Sequence, residues 1–425
     1  MDDGRLLLAR LRASLPPPAR RPLARATRLA EEHGAPLYLV GGGVRDLLLG
    51  RAHVDLDLVV EGDAIALAEA LAGDLPARLV THPRFRTAAL QGERFRLDLA
   101  RARSERYGRP GALPSVRPGS LADDLARRDF TVNAMALRLS RPGAGELTDP
   151  RGGRDDLRRR LVRALHDASF RDDATRILRA LRYTGRLGFR LAPATAKFLR
   201  RDLPYLDTIS GARLRHELER IAAEERAADI VRLARRYGAL EAMHPALRVD
   251  RRAMRGLSRL GEVIPAHREA VLFCLLLADA SANEAESAID RLALTGAQAS
   301  AVRAFVALRA VERDLSQPSL SPSGAVRLLK DRPPQAIEAF ALWTGRRLAS
   351  ERARTYLAEW RHLRPRLSGH DVQALGVPRG PQIGAALSTL RESRLNGRTK
   401  SRRDEASLVR RLRRDAASTT GGRRG

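Results

Sequence analysis

The sequence predicts an α+β protein: a small mixed sheet with helices in its first third, followed by a long segment that is helical throughout. Three observations carry this prediction. Between residues 37 and 140, short runs of strand-like alternation are separated by glycine and proline. From about Leu157 onward, apolar residues recur at helical spacing with almost no strand signal. The 425 residues, 44% hydrophobic and 30% charged, suffice to bury several cores without covalent staples.

The strands come first. Leu37-Tyr38-Leu39-Val40 runs into Gly41-Gly42-Gly43. In Val54-Asp55-Leu56-Asp57-Leu58-Val59-Val60, positions 54, 56, 58 and 60 are apolar, a period of two, and Phe95 to Leu99 alternates in the same way. Asp63 to Ala72 reads as a helix on Ile65, Leu67, Ala68 and Leu71. Residues 101–119 hold Gly108, Pro110, Gly111, Pro114, Pro118 and Gly119, and predict a loop of restricted geometry. Beyond Leu157, helical spacing is carried by Leu161, Leu165, Ile177, Leu181 and Leu187, with Ser316 to Gly324 as an expected linker.

Composition narrows the function classes. The longest apolar stretch, Ala270 to Ala278, is too short to span a bilayer. Met1-Asp2-Asp3-Gly4 lacks the basic-then-apolar order of a secretory signal, so a cytoplasmic location without membrane attachment is expected. Cys274 is the only cysteine, which excludes an internal disulfide and a cysteine-clustered metal site. The net charge is +28, and residues 346–425 carry 20 basic and 7 acidic side chains, or +13 of it. Of the 78 basic residues only Lys197, Lys330 and Lys400 are lysine, as codon bias in a GC-rich genome would give. Such bias explains arginine replacing lysine and not the excess over acids, so a polyanionic partner is expected.

The residues suited to chemistry lie in blocks. A strand ending in glycines and opening a helix at Gly42 lets backbone N–H groups approach phosphate oxygens, with Arg45 one turn further on. A glycine triplet alone is also simply a tight turn. Asp55 and Asp57, two apart on a strand, point to the same face. Oxygen-only ligands of this kind suit Mg²⁺, whereas an isolated D-x-D is as readily the wet face of a strand. Asp98 sits on the polar side of another alternating strand and offers a third carboxylate. Arg127-Arg128-Asp129-Phe130-Thr131-Val132-Asn133 places two guanidinium groups, a carboxylate and a carboxamide around an apolar anchor. In Asp173-Ala174-Thr175-Arg176, the carboxylate and guanidinium are expected three apart on one helix and facing the same way, either as an ion pair or as a polar edge for a ligand. The pairs His166-Asp167 and His370-Asp371 have no further ligands at metal spacing and read as ordinary.

In this order the blocks resemble the class II tRNA nucleotidyltransferase and bacterial poly(A) polymerase family, best over residues 37–225 and more weakly from Leu367 to Gly384. The resemblance implies a nucleotidyltransferase head at 25–150 behind an N-terminal helix at 1–24, then a helical neck at 151–230 with nucleotide-base recognition. A helical body at 231–345 and a basic, tRNA-binding helical tail at 346–425 complete the expected division. The implied activity is template-independent addition of C and A to the 3′ end of tRNA from CTP and ATP. Asp55 and Asp57 would be catalytic and hold Mg²⁺, with Asp98 as a further catalytic candidate. Gly42, Arg45, Arg128, Asp129 and Asn133 would bind the nucleotide with Asp173, Arg176, Arg179 and Arg182. Asp172 stands where the family usually has Glu. Family members that add only C lack the loop at 101–119. Addition of A alone, poly(A) tailing, or RNA binding without catalysis are the competing expectations, and the oligomeric state is left open.

Overall fold

Nine strands follow one another along the first part of the chain: β1 (Leu37–Val40), β2 (Asp55–Val60), β3 (Ala77–His82), β4 (Thr87–Gly92), β5 (Arg96–Arg101), β6 (Arg103–Arg106), β7 (Ser115–Pro118), β8 (Ala136–Arg138) and β9 (Leu147–Thr148). The computed structural model describes residues 2–51, 55–112 and 114–421, with the side chains of residues 2, 3, 55 and 416–421 outside the description. The chain divides into two compact units, Met1–Met243 and His244–Gly425. The expected α+β class holds.

Seven strands form one mixed sheet in the order β3-β4-β5-β2-β1-β8-β9. β1 is buried along its whole length, as its all-apolar sequence requires of a strand covered on both faces. β2 runs antiparallel to β1 and parallel to β5. The helix Ala64–Asp74 lies in the connection between these parallel strands. Asp63 caps it by accepting from the N–H groups of Ile65 and Ala66 at 3.0 and 3.2 Å, and Leu67, Ala68 and Leu71 bury its inner face.

The N-terminal segment is a pair of helices, Asp2–Ser14 and Pro17–Glu32, broken by Pro16-Pro17-Pro18. The second continues past residue 24 because Ala19, Leu23, Ala26 and Ala30 keep a buried stripe through that point.

Residues 101–119 differ from the expected loop. β6 and β7 pair antiparallel from Arg103↔Pro118 to Arg106↔Ser115, so the glycines and prolines shape a hairpin with a long tip. At that tip Gly111 has φ +77°, and a Cβ there would lie 2.4 Å from the Thr208 carbonyl oxygen, so the backbone approaches as only glycine allows. The helical stretch after Leu157 also holds one short parallel pair, β10 (Leu161–Val162) with β11 (Arg190–Leu191). The helices Thr175–Leu187, Gly211–Ala222 and Ala227–Tyr237 follow within the first unit.

The second unit is helical throughout its described residues, from Arg251–Leu257 to Arg402–Gly421. Phe273, Phe305 and Phe340 are fully buried in its core, and burial beside them pushes the Cys274 thiol pKa up. The expected linker at 316–324 is a pinned connection instead. Arg352 donates to the carbonyls of Leu315, Gln317 and Leu320, and Asn396 accepts from the Ser323 N–H at 3.0 Å. Toward the C-terminus, Leu367, Val372, Ala386, Leu390 and Val409 form a small core of their own. Beside it buried Glu405 accepts from the N–H groups of Arg366 and Leu367. Among the described residues no helix is long and apolar enough to cross a membrane.

Candidate active site

The site begins where β1 ends. Gly41 has φ +64°, and a Cβ there would sit 2.8 Å from Arg128 Nη1, so the turn brings backbone against a guanidinium as glycine alone permits. The helix Gly42–Leu48 starts at once, and Gly41 and Gly42 line a cleft of about 490 Å³.

Strand register supplies the carboxylates. Leu56 and Leu58 are buried while Asp57 between them is exposed and lines the cleft. Asp57 is paired with Asp98 in the parallel ladder, so both project from one face of the sheet. Asp98 receives a fork from Arg96, at 2.9 and 3.2 Å. Asp55 opens β2 on the same parity as Asp57, and its side chain lies outside the described residues. Among the described residues no group of three or more His, Cys, Asp or Glu is placed to hold a metal. The exposed donors along this edge are carboxylate oxygens, which fit a hard divalent cation completed by water and phosphate oxygens.

The segment after β7 is anchored by a buried aspartate. Ser120 and Asp123 form a capping box for Leu121–Ala126. Asp124, fully buried, takes hydrogen bonds from both Arg127 and Arg128. Burial raises its pKa, but the two guanidinium groups outweigh this and hold the carboxyl below its ordinary value. Both arginines line the cleft.

From there a polar chain crosses the interior. Arg45, 2% exposed, forks onto Asp46 at 2.9 and 2.8 Å and donates through Nη1 to Asn133 Oδ1 at 2.7 Å. Asn133 Nδ2 donates to Asp129 Oδ1 at 3.1 Å, which also accepts from the Phe130 N–H. Asp129 Oδ2 accepts twice from Arg179, at 2.9 and 2.6 Å. Burial pushes the Asp129 carboxyl up, and Arg179 with Asn133 brings it below the usual range; Asp129 in turn raises the Arg179 guanidinium. Arg45, Arg179 and Arg182 all approach the Tyr183 ring, at 5.4, 5.6 and 5.0 Å from its centroid.

Asp173 lies in extended backbone between the short helix Ser169–Asp172 and the helix Thr175–Leu187, so it does not share a helix with Arg176. Asp173 Oδ1 accepts from the Thr175 N–H and hydroxyl, and both its oxygens accept from Arg213 Nη2 at 2.8 Å. Arg176 donates to Ser169 Oγ, to the Arg127 carbonyl and weakly to the Tyr107 hydroxyl. Burial beside Glu105 pushes Tyr107 up to about 12.

Residues 37–163 match the family described as "Poly A polymerase head domain", and 188–250 the "Probable RNA and SrmB- binding site of polymerase A". An A-adding tRNA nucleotidyltransferase of Halalkalibacterium halodurans is 33% identical over 389 residues, 88% of each chain. The chain belongs to the tRNA nucleotidyltransferase and poly(A) polymerase family. A CC-adding relative from Deinococcus radiodurans is 35% identical, again over 88% of both chains. Among solved structures, the Thermotoga maritima CCA-adding enzyme complexed with tRNA aligns with a TM-score of 0.77 at 28% identity, over 96% of this chain and 97% of that one. The chain spans 28% and 47% of two longer A-adding relatives, from Aquifex aeolicus and Geobacter sulfurreducens.

Within this family frame, the cleft gathers Gly42, Asp57, Arg128, Asp129, Asn133, Asp173, Arg176 and Arg179. Two expected nucleotide contacts stand apart. Arg45 has both arms of its fork on Asp46 and its remaining amino group on Asn133, so it braces the site from behind. Arg182 is buried, bound to Glu224 at 3.2 Å and stacked on Tyr183, because its helix has turned it away from the cleft. Asp98 lines an adjoining cavity. Tyr107, Tyr183, Arg213, His216, Glu217 and Arg220 line the cleft without having been expected there. The usable signal was Arg213-x-x-x-Glu217, a charged pair at helical spacing beside the apolar Leu214, Leu218 and Ile221.

Proposed function

We propose that this protein transfers nucleotides without a template to the 3′ end of tRNA, using CTP and ATP and releasing pyrophosphate. The observation that carries this reading is the presence of Asp57, Asp173 and Arg176 in one cleft, so that an acid for phosphoryl chemistry and a polar pair for a base face the same space.

Cytosine and adenine each present an amino donor beside a ring acceptor. Asp173 accepts and Arg176 donates, which matches that order. Guanine and uracil present a carbonyl beside an N–H, leaving acceptor against acceptor and donor against donor. Unpaired polar edges in a partly dry site can separate ligands by several orders of magnitude. Arg213 and Thr175 hold the carboxylate so that it cannot swing to suit the wrong base.

In the transfer, the terminal hydroxyl of the RNA forms a bond to the α-phosphorus, the α–β phosphoanhydride bond breaks, and the hydroxyl proton is lost. Arg127, Arg128 and Arg179 face the cleft and supply positive charge toward the triphosphate. Asp55 and Asp57 would hold Mg²⁺, which when bound neutralises phosphate charge and makes the hydroxyl more acidic. Family resemblance supports this reading and the cytoplasmic site of tRNA maturation.

Addition of the terminal A alone is a second reading, favoured by the A-adding relative aligned over 88% of the chain. The deciding experiment supplies tRNA transcripts ending before CCA, after C and after CC, with each nucleoside triphosphate singly and in mixtures, and sequences the product ends. Completion of all three supports CCA addition. Extension of only the CC-ended transcript selects the second reading. Long A tracts on unrelated RNA, or no addition to any end, overturn both.

A further inference from the structure

From Gly4 to Ala30 the chain holds seven arginines and no acidic residue. These residues make up most of the two helices ahead of β1, Asp2–Ser14 and Pro17–Glu32. The inner faces of both helices are apolar and buried, so the core makes no call on the arginines. Arg12, Arg20, Arg21 and Arg28 are exposed. Elsewhere in the first unit arginines are neutralised by neighbours: Arg96 by Asp98, Arg163 by Asp156, Arg179 by Asp129 and Arg201 by Asp202. On the helix pair Arg25 binds Asp74 at 2.6 Å, whereas among the described residues Arg12, Arg20, Arg21 and Arg28 meet no carboxylate. Arg21, Arg25 and Arg28 follow one another at spacings of four and three, where like charges destabilise a helix. Codon bias places arginines, but it does not strip them of acidic partners.

Two hollows flank the second of these helices and share Ala24 and Arg28. One, of about 840 Å³, lies against the first helix and the segment 139–144, with Arg12, Arg20 and Arg141 on its walls. The other, of about 500 Å³, holds Arg21 and Arg25. Glu31 on the wall of the larger hollow is already engaged, accepting from the Arg141 N–H at 2.8 Å. Ala24 between the hollows is exposed, so a polymer can approach the helix closely with guanidinium groups on both sides. We propose that this arginine-faced side of the N-terminal helix pair is an RNA-docking surface that grips the phosphate backbone of a paired stem. None of its residues lines the cleft, so it goes beyond the functional reading above. Arg21 and Arg28 are seven residues apart, about 10 Å along the helix axis, enough to reach more than one phosphate of a strand. No aromatic side chain lines either hollow, which leaves unpaired bases without a stacking platform. The outer face of the second helix shows Pro17, Pro18 and Ala24 in place of the large apolar side chains that anchor a helix in lipid. Charge set to follow phosphate is what a paired RNA backbone calls for.

The test compares the full chain with a variant carrying Arg12→Gln, Arg21→Gln and Arg28→Gln, and spares Arg20 because its Nε holds the Leu15 carbonyl at 3.0 Å. Binding of a tRNA transcript without CCA, and of an unrelated RNA hairpin, is measured without nucleotide over a range of salt. The slope of log Kd against log salt should fall by about 2 to 3, and affinity roughly tenfold or more, as loss of up to three phosphate contacts predicts. Loss on both RNAs supports a grip on any paired stem, and loss on the transcript alone supports a grip that tRNA shape directs. The kcat and the KM for ATP should stay unchanged. A folded variant with unaltered slope overturns the proposal. So does one that keeps its RNA affinity but no longer binds phosphatidylglycerol vesicles, which would mark the face as lipid-directed. If the variant fails to fold, modification of the unaltered protein by phenylglyoxal decides: RNA must protect Arg21 and Arg28, and equal labelling with and without RNA overturns the proposal. A wild-type protein that binds RNA through this face but extends none refutes the functional reading alone, whereas normal extension with an unchanged slope in the variant refutes the surface alone.

Discussion

Replacing Asp129 by asparagine removes one charge from the middle of the buried polar chain while keeping its size. In the wild type, Oδ1 accepts from the Phe130 N–H and Asn133, and Oδ2 accepts both hydrogen bonds from Arg179. An amide that still serves Phe130 and Asn133 must aim its own N–H groups at the guanidinium. Asp129 is 6% exposed, but the Arg179 side chain is 28% exposed, so the stranded cation is partly hydrated. That places the loss at the low end of the range for a broken buried pair, about 3 kcal/mol. For a unit of this size such a loss lowers the melting temperature by about 6–12 °C, read by calorimetry on the full chain. The sign with pH follows from linkage. The folded carboxyl sits below its ordinary value of 3.8, so its contribution is full above that value and is lost as pH falls through the lower, folded one. The gap between wild type and Asp129→Asn should therefore stay constant from about pH 7 to 5 and close below about pH 4. A variant that melts with the wild type at neutral pH, or a gap that persists undiminished into strong acid, refutes the ion-pair account.

Asp57→Asn should cut nucleotide transfer by roughly 10²- to 10³-fold in single-turnover assays while ATP binding survives, since it touches the phosphoryl chemistry and not the base-facing pair. Arg213→Gln leaves Asp173 tied only on the Thr175 side, and the kcat/KM preference for ATP over GTP should fall roughly tenfold with little loss in the rate with ATP. Gly111→Ala forces a side chain into a positive-φ position against the Thr208 carbonyl, at a cost of about 1–2 kcal/mol, and should speed limited proteolysis at the hairpin tip without changing the melting of the sheet.

What could be read in advance was set by local pattern. The alternation at Leu56, Asp57 and Leu58 fixes both the strand and the side from which Asp57 projects, because a period of two leaves no second choice. The hairpin at β6–β7 escaped notice since its glycines and prolines crowd the tip and ends, while its strands are only four residues each. Asp173 was misplaced because the helical spacing of apolar residues runs on from Phe170 to Leu181 across a real break in the backbone. Arg45 and Asn133 are 88 positions apart, and no local pattern signals that they will meet. Arg213 carried a local signal in its helical spacing to Glu217, but its bond to Asp173, 40 residues earlier, left none.

The links that tie the glycine turn to the helix Thr175–Leu187 also make the two sides of the cleft unequally rigid. Asp46, Arg45, Asn133 and Asp129 are all buried, and drawing that side apart would strand charged groups in a poorly screened interior. Opposite, the hairpin is held at its base by Glu105, which accepts from Arg127 at 2.9 Å, while Arg176 meets the Tyr107 hydroxyl at a long 3.4 Å and the glycine tip rests against the Thr208 turn. The rear of the chamber is thus bolted by buried charged pairs, whereas Tyr107 on the hairpin side meets Arg176 through a long hydrogen bond and its ring face, so this wall can shift without stranding a buried ion pair.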